Sequence, residues 1–100
     1  MLTYQLEFLP LALKEWKKLN PFIQTIFKKK LAERLSHPHV LSAQLAGHKH
    51  CYKIKLRDLG YRLVYEVLDA KLSVLVITVG KRDKNKVYKL FQQRVSSKGA

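Results

Sequence analysis

Acidic residues are scarce: seven Asp and Glu stand against twenty Lys and Arg in 100 residues, a formal charge of +13. None of the carboxylates pair at useful spacing, which excludes a clustered Mg²⁺ site. The one cysteine, Cys51, excludes an internal disulfide and a structural cysteine-type zinc site, and its alternating apolar surroundings make it a core thiol. No apolar run approaches the ~20 residues of a membrane span. Nothing near Met1 resembles a signal peptide, so a cytoplasmic protein without a membrane partner is expected. What is present is enough for a fold: a hydrophobic share of 47% supports one packed core, and residues 1–100 read as a single domain. So basic a domain seeks a polyanion or an acidic partner.

Alternation predicts a strand over Leu2 to Phe8, with Leu2, Tyr4, Leu6 and Phe8 on one face. Pro10 opens a helix that continues through Trp16 to Leu19, with Lys14, Lys17 and Lys18 in water. Asn20-Pro21 caps and restarts a second helix, to about Leu35, on the stripe Ile23, Ile26, Phe27, Leu31 and Leu35. His37-Pro38-His39 breaks it. A loop follows in which Leu41, Leu45 and Ala46 dip into the core. Strands are then predicted over Cys51–Leu56, from Tyr61 to Val67, and from Leu72 to Val79, the last the most apolar and so the central one. Lys86 to Val95 carries weak helical character, and residues 96–100 should fray. The order β-α-α-β-β-β-α gives an α+β fold: an antiparallel sheet packed on an N-terminal helical hairpin.

Period two sends Lys53 and Lys55 off the same, non-core face. Arg62 lies just past the Asp58-Leu59-Gly60 turn on the paired strand, and Arg82 follows the next strand. Cations hold phosphates and aromatic rings stack on splayed bases, so this face with Tyr61, Tyr88 and Phe91 nearby is a candidate RNA cradle. Alternating lysines are also what an ordinary solvated face looks like. Phosphoryl transfer without a metal must stabilise charge with Arg and Lys. On RNA the metal-free route uses the substrate's own 2′-hydroxyl. The histidines His37, His39, His48 and His50 lack a partnering acidic motif and match no zinc-ligand spacing. No metal and no cofactor are expected.

Several stretches resemble the RelE family of bacterial and archaeal toxins, within the RelE/ParE superfamily. They are Cys51-Tyr52-Lys53-Ile54-Lys55-Leu56-Arg57, Gly60-Tyr61-Arg62-Leu63-Val64-Tyr65, Val79-Gly80-Lys81-Arg82 and Val87-Tyr88. Ala12-Leu13-Lys14-Glu15-Trp16-Lys17-Lys18-Leu19, Lys28-Lys29-Lys30-Leu31 and Ala43-Gln44-Leu45-Ala46-Gly47 add to them, and the likeness covers about residues 2 to 95. The resemblance implies a RelE-like fold and an endoribonuclease that cuts messenger RNA in the ribosomal A site. It implies catalytic roles for Lys53, Lys55, Arg62, Arg82 and Tyr88, with Arg57, Lys81 and Lys84 joining those cations in holding RNA. It also implies partners: the ribosome and its message, a RelB-like antitoxin, and operator DNA only through the antitoxin complex. The segment 84–95 is too short to be a stable helix alone, so an antitoxin helix could take its place on the sheet and move Tyr88. Two other readings compete: a non-catalytic co-repressor that works bound to its antitoxin, and a plain RNA-binding domain.

Overall fold

Alternating side chains produce the strands, and the strand order decides where the cations stand. The computed structural model describes residues 3–82 and 86–98, with side chains as far as Val95. Leu2, Lys84, Gly99 and Ala100, which entered the sequence reading, lie outside the described residues. The elements are β1 (Gln5–Phe8), α1 (Pro10–Lys17), α2 (Pro21–Ser36), β2 (Gln44–Leu45), β3 (His48–Leu56), β4 (Tyr61–Leu68), β5 (Ser73–Lys81) and α3 (Lys86–Lys98). The α+β class and the order of the main elements agree with expectation.

The sheet runs β1-β5-β4-β3-β2. Strands β3, β4 and β5 form an antiparallel meander, while β1 joins β5 in parallel. Strand β5 is thus interior, but β4 holds the middle. The loop expected after α2 contains β2, and within it Leu41 is 78% exposed while Ala43 is buried. Ala46 is exposed too, so neither Leu41 nor Ala46 dips into the core. Leu6 stays 37% exposed because β1 is an edge strand with a neighbour on one side only. The backbone of α3 continues to Lys98, past the expected fraying point.

Helix α2 starts where expected: the Asn20 side chain accepts from the Phe22 N–H at 2.8 Å, an N-cap worth about 1 kcal/mol. Its stripe of Ile23, Phe27 and Leu31 packs with Ala12 of α1 against Ile54, Leu63, Tyr65 and Val76. Removing the side chain of Leu63 or Phe27 would cost about 2–5 kcal/mol. The opposite face of the sheet is also covered. Cys51, Val64, Leu75 and Ile77 meet Val87 and Phe91 of α3. Residues Ser73 to Val79 are buried throughout, and a strand apolar on both faces needs cover on both.

One carboxylate joins the two layers. Strand β1 ends at Phe8 opposite Val76, so the remainder of β5 has an open edge. There Glu15 of α1 accepts from the Val79 N–H at 3.2 Å and from the Thr78 hydroxyl at 3.0 Å. From the other face, Arg94 of α3 donates through both terminal nitrogens to Glu15 at 2.8 and 2.9 Å, and to the Ile77 carbonyl at 2.9 Å. Ile77 is where the β4–β5 register slips, between Thr78 opposite Val64 and Val76 opposite Tyr65. The pair is only 12% and 23% exposed, and a bidentate geometry of this kind is the strong form of an ion pair. Arg94 is therefore a clasp that ties α3 to α1 and to the edge of β5. Glu15→Ala is expected to lower the unfolding free energy by about 2–4 kcal/mol, somewhat less than for a fully buried pair. Urea unfolding checks the size, and an unchanged midpoint would remove the clasp from the account.

Candidate functional site

The β3–β4 hairpin places the first cations. Its turn closes with the N–H groups of Gly60 and Leu59 donating to the Leu56 carbonyl at 2.8 and 3.2 Å. Gly60 has φ +73°, a left-handed conformation that favours glycine. The register then sets Lys55 opposite Arg62 and Lys53 opposite Val64. Arg62 is in turn opposite Gly80 of β5. Beyond that strand the Arg82 N–H donates to the Gly60 carbonyl at 2.6 Å, so the chain leaving β5 is tied to the hairpin turn. Lys53, Lys55, Arg62 and Val64 share the face that α3 partly covers.

The charges act on one another. The Lys55 ammonium titrates below the ordinary lysine range, first because Lys53 stands beside it, then through partial desolvation, then through Arg62, Arg57 and Arg82. Each neighbouring cation penalises the charged form. A lysine so placed gives up its proton more readily than an isolated one, which brings it closer to the poise an acid–base group needs.

Lys53 and Lys55 are half-buried on the shared face, and Arg57, Lys81 and Arg82 are exposed around its end. Arg62 departs from expectation: it is only 5% exposed, with Nη1 donating to the Tyr61 carbonyl at 3.0 Å. Its backbone lies on the expected face, but β4 is flanked by strands on both sides and leaves its side chain little free surface. Tyr88 is half-buried and packs against the cluster that includes Val64, Leu75 and Ile77. Tyr61 packs instead against the cluster on the α1–α2 face.

Arg34 was not among the residues singled out from sequence. Its Nη1 donates to the Lys53 carbonyl at 3.3 Å and to the Tyr65 hydroxyl at 2.9 Å, and it lines a cleft of about 360 Å³ with Lys53, Lys55 and Arg57. The signal was available: Arg34 follows Leu31 by three residues and Phe27 by seven, so helical spacing already turned it toward the sheet. Burial pushes the Tyr65 hydroxyl up, against the pull of Arg34, so it stays protonated and donates to the Pro38 carbonyl at 2.8 Å.

Two histidines hold other parts together. His39 lies 3.0 Å from Asp69, which also accepts from the Tyr4 hydroxyl at 2.6 Å. The His48 ring stands edge-on to Phe91, with centroids 4.9 Å apart. Among the described residues no group of three or more His, Cys, Asp or Glu side chains is arranged to hold a metal ion. No described helix is long and apolar enough to cross a membrane. If repulsion sets the behaviour of Lys55, Lys53→Met should raise its titration midpoint, read by NMR of the lysine side chains. A midpoint that stays put would mean that Lys53 does not dominate its field.

Residues 6–86 match the family model of the ParE toxin of the type II toxin-antitoxin system parDE. Over 94 residues the chain is 48% identical to the mRNA interferase toxin RelE of Escherichia coli K12, covering 94% of this chain and 99% of that protein. The same figures hold for the mRNA interferase RelE of Shigella flexneri. A double mutant of the E. coli RelE toxin in the free state superposes with a TM-score of 0.85 at 47% identity, covering 93% of this chain and 98% of that one. The intact E. coli RelBE toxin–antitoxin complex matches with a TM-score of 0.77 at 51% identity, covering 81% and 99%. With its hairpin cations and its fold shared over nearly the whole length, the chain belongs to the RelE/ParE family of type II toxin–antitoxin toxins.

Proposed function

We propose that this toxin is a cytoplasmic, metal-independent endoribonuclease that cuts messenger RNA in the ribosomal A site and is silenced by a RelB-like antitoxin. The observation that carries the reading is the field around Lys55, in which Lys53, Arg62, Arg57 and Arg82 all oppose its charged form. Such a cluster is costly unless something anionic relieves it, and the phosphodiester of RNA does so. The names of the relatives, mRNA interferases at 48% identity, point to the same chemistry.

In this mechanism the 2′-oxygen attacks the adjacent phosphorus, the bond from phosphorus to O5′ breaks, and a 2′,3′-cyclic phosphate and a 5′-hydroxyl result. One proton leaves the 2′-hydroxyl and one reaches O5′. Lys53 and Lys55 serve as proton carriers and phosphate ligands, and the readily lost proton of Lys55 suits it to the base role. Arg62 holds the scissile phosphate from the floor of the site, and Arg82 stabilises the developing charge from its rim. Tyr88 stacks on a base or orients the nucleophile. Arg57, Lys81 and Lys84 grip the backbone.

Neutralisation follows from how α3 is held. It rests on Val87, Phe91 and the Arg94 clasp, and a helix of its length has little stability alone. An acidic antitoxin that folds on binding can take its place, carrying Tyr88 away while the lysines stay. Operator DNA is reached only through that complex.

Two experiments test this reading. On translating ribosomes the wild-type chain should generate new 5′ ends within A-site codons, in EDTA as well, provided ribosome integrity is controlled. Arg82→Ala should slow cutting by about 10²–10³-fold with an unchanged fold, and cutting at the normal rate would show that the site is misplaced. Amide exchange in residues 86–95 should rise when the antitoxin binds, whereas equal protection in both states would contradict displacement of α3.

A further inference from the structure

A second cleft opens at the end of β5, with Arg82 but not Lys55 among its lining residues. Its volume is about 840 Å³, within the range of sites that hold a small ligand or part of a chain. Among the described residues four cations line it: Lys18 just past α1, Lys81 and Arg82 at the end of β5, and Lys86 at the start of α3. The one acid among its described lining residues is Glu15, whose two carboxylate oxygens are both taken by Arg94. Among the described lining residues no carboxylate is left free to answer these cations. Apolar and aromatic groups complete the lining, among them Leu59 and Tyr61, and Leu59 is 42% exposed.

Arg82 belongs to both places. It lines this cleft and contributes to the field that lowers the Lys55 pKa. A polyanion lying across Lys53 and Lys55 and passing Arg82 would enter the cleft without a break in positive charge. Cations for phosphates beside an aromatic and apolar wall for a base are the pairing that single-stranded RNA needs. An acidic peptide would use the cations but not that wall.

We propose that this cleft is a second RNA subsite, which grips a strand flanking the cut with Lys18 and Lys86 as its dedicated phosphate ligands. This rests on the RNA-cutting function proposed above. The strand can come from the message beyond the cut codon or from ribosomal RNA, because both present the same phosphodiester and base chemistry.

The test uses the double variant Lys18→Ala with Lys86→Ala, two exposed positions outside the proposed cutting machinery. Cutting is followed on ribosomes programmed with a message that ends at the A-site codon or continues well beyond it. KM should rise about three- to thirty-fold, as expected for two exposed ion pairs, with kcat nearly unchanged. A rise confined to the longer message assigns the cleft to the message. An equal rise with both assigns it to ribosomal RNA, the upstream codon being held by transfer RNA. The variant Lys14→Ala with Lys17→Ala removes the same charge from α1 outside the cleft and should leave KM in place. Unchanged KM for the Lys18 and Lys86 variant, or an equal rise in the α1 control, overturns the subsite. A wild-type chain that cuts neither message would instead sink the parent reading.

Discussion

The carboxylate of Glu15 caps the edge of β5 beyond Val76, which no described strand covers, and the surfaces around it depend on that cap. It satisfies the Val79 N–H and the Thr78 hydroxyl on the sheet edge while holding both terminal nitrogens of Arg94. In a chain with an excess of thirteen positive charges, few acids are available for such a task. This one fixes α1 to one face and α3 to the other. The place of Tyr88 against the sheet and the α3 wall of the larger cleft follow from it. Among the described residues α3 is held by the buried Val87 and Phe91, by Tyr88 and Val95 packed beside them, and by this one clasp.

The opposite electrostatic situation prevails at the hairpin. Lys53, Lys55, Arg57 and Arg62 follow one another across two strands, and their repulsion is tolerated because the other face of the same strands is buried. Ile54, Leu56, Leu63 and Tyr65 pack against the helices and supply the burial that outweighs it. The proposed site and the fold are thus written in alternate positions of the same segment. A phosphodiester entering this field gains from every cation at once, and at least one lysine is already disposed to release a proton.

Much of this was legible in the sequence because period two is a strict rule. Once Tyr52, Ile54 and Leu56 are assigned to the core, Lys53 and Lys55 have no other direction to take. Asn20-Pro21 fixed the start of α2 through cap chemistry alone. The parallel pairing of β1 with β5 was not legible, since no local pattern records which distant strand an edge strand joins. The burial of Arg62 also escaped, because accessibility depends on how many neighbours a strand acquires. Arg34 and the Glu15–Arg94 clasp are contacts between residues far apart in the chain, and local spacing could hint only at the first. The exposure of Leu41 shows the same limit in a segment without periodicity.

The central question is whether this constellation of cations drives attack by the RNA's own 2′-hydroxyl. The direct measurement is mass spectrometry of the ends produced from a message cut on the ribosome, beside a message carrying a single 2′-deoxy nucleotide on the 5′ side of the cut. The account predicts 2′,3′-cyclic phosphate and 5′-hydroxyl ends from the first and no cut at that position in the second. Ends bearing 5′-phosphate and 3′-hydroxyl, with the deoxy-substituted message cut at the normal rate, would contradict it.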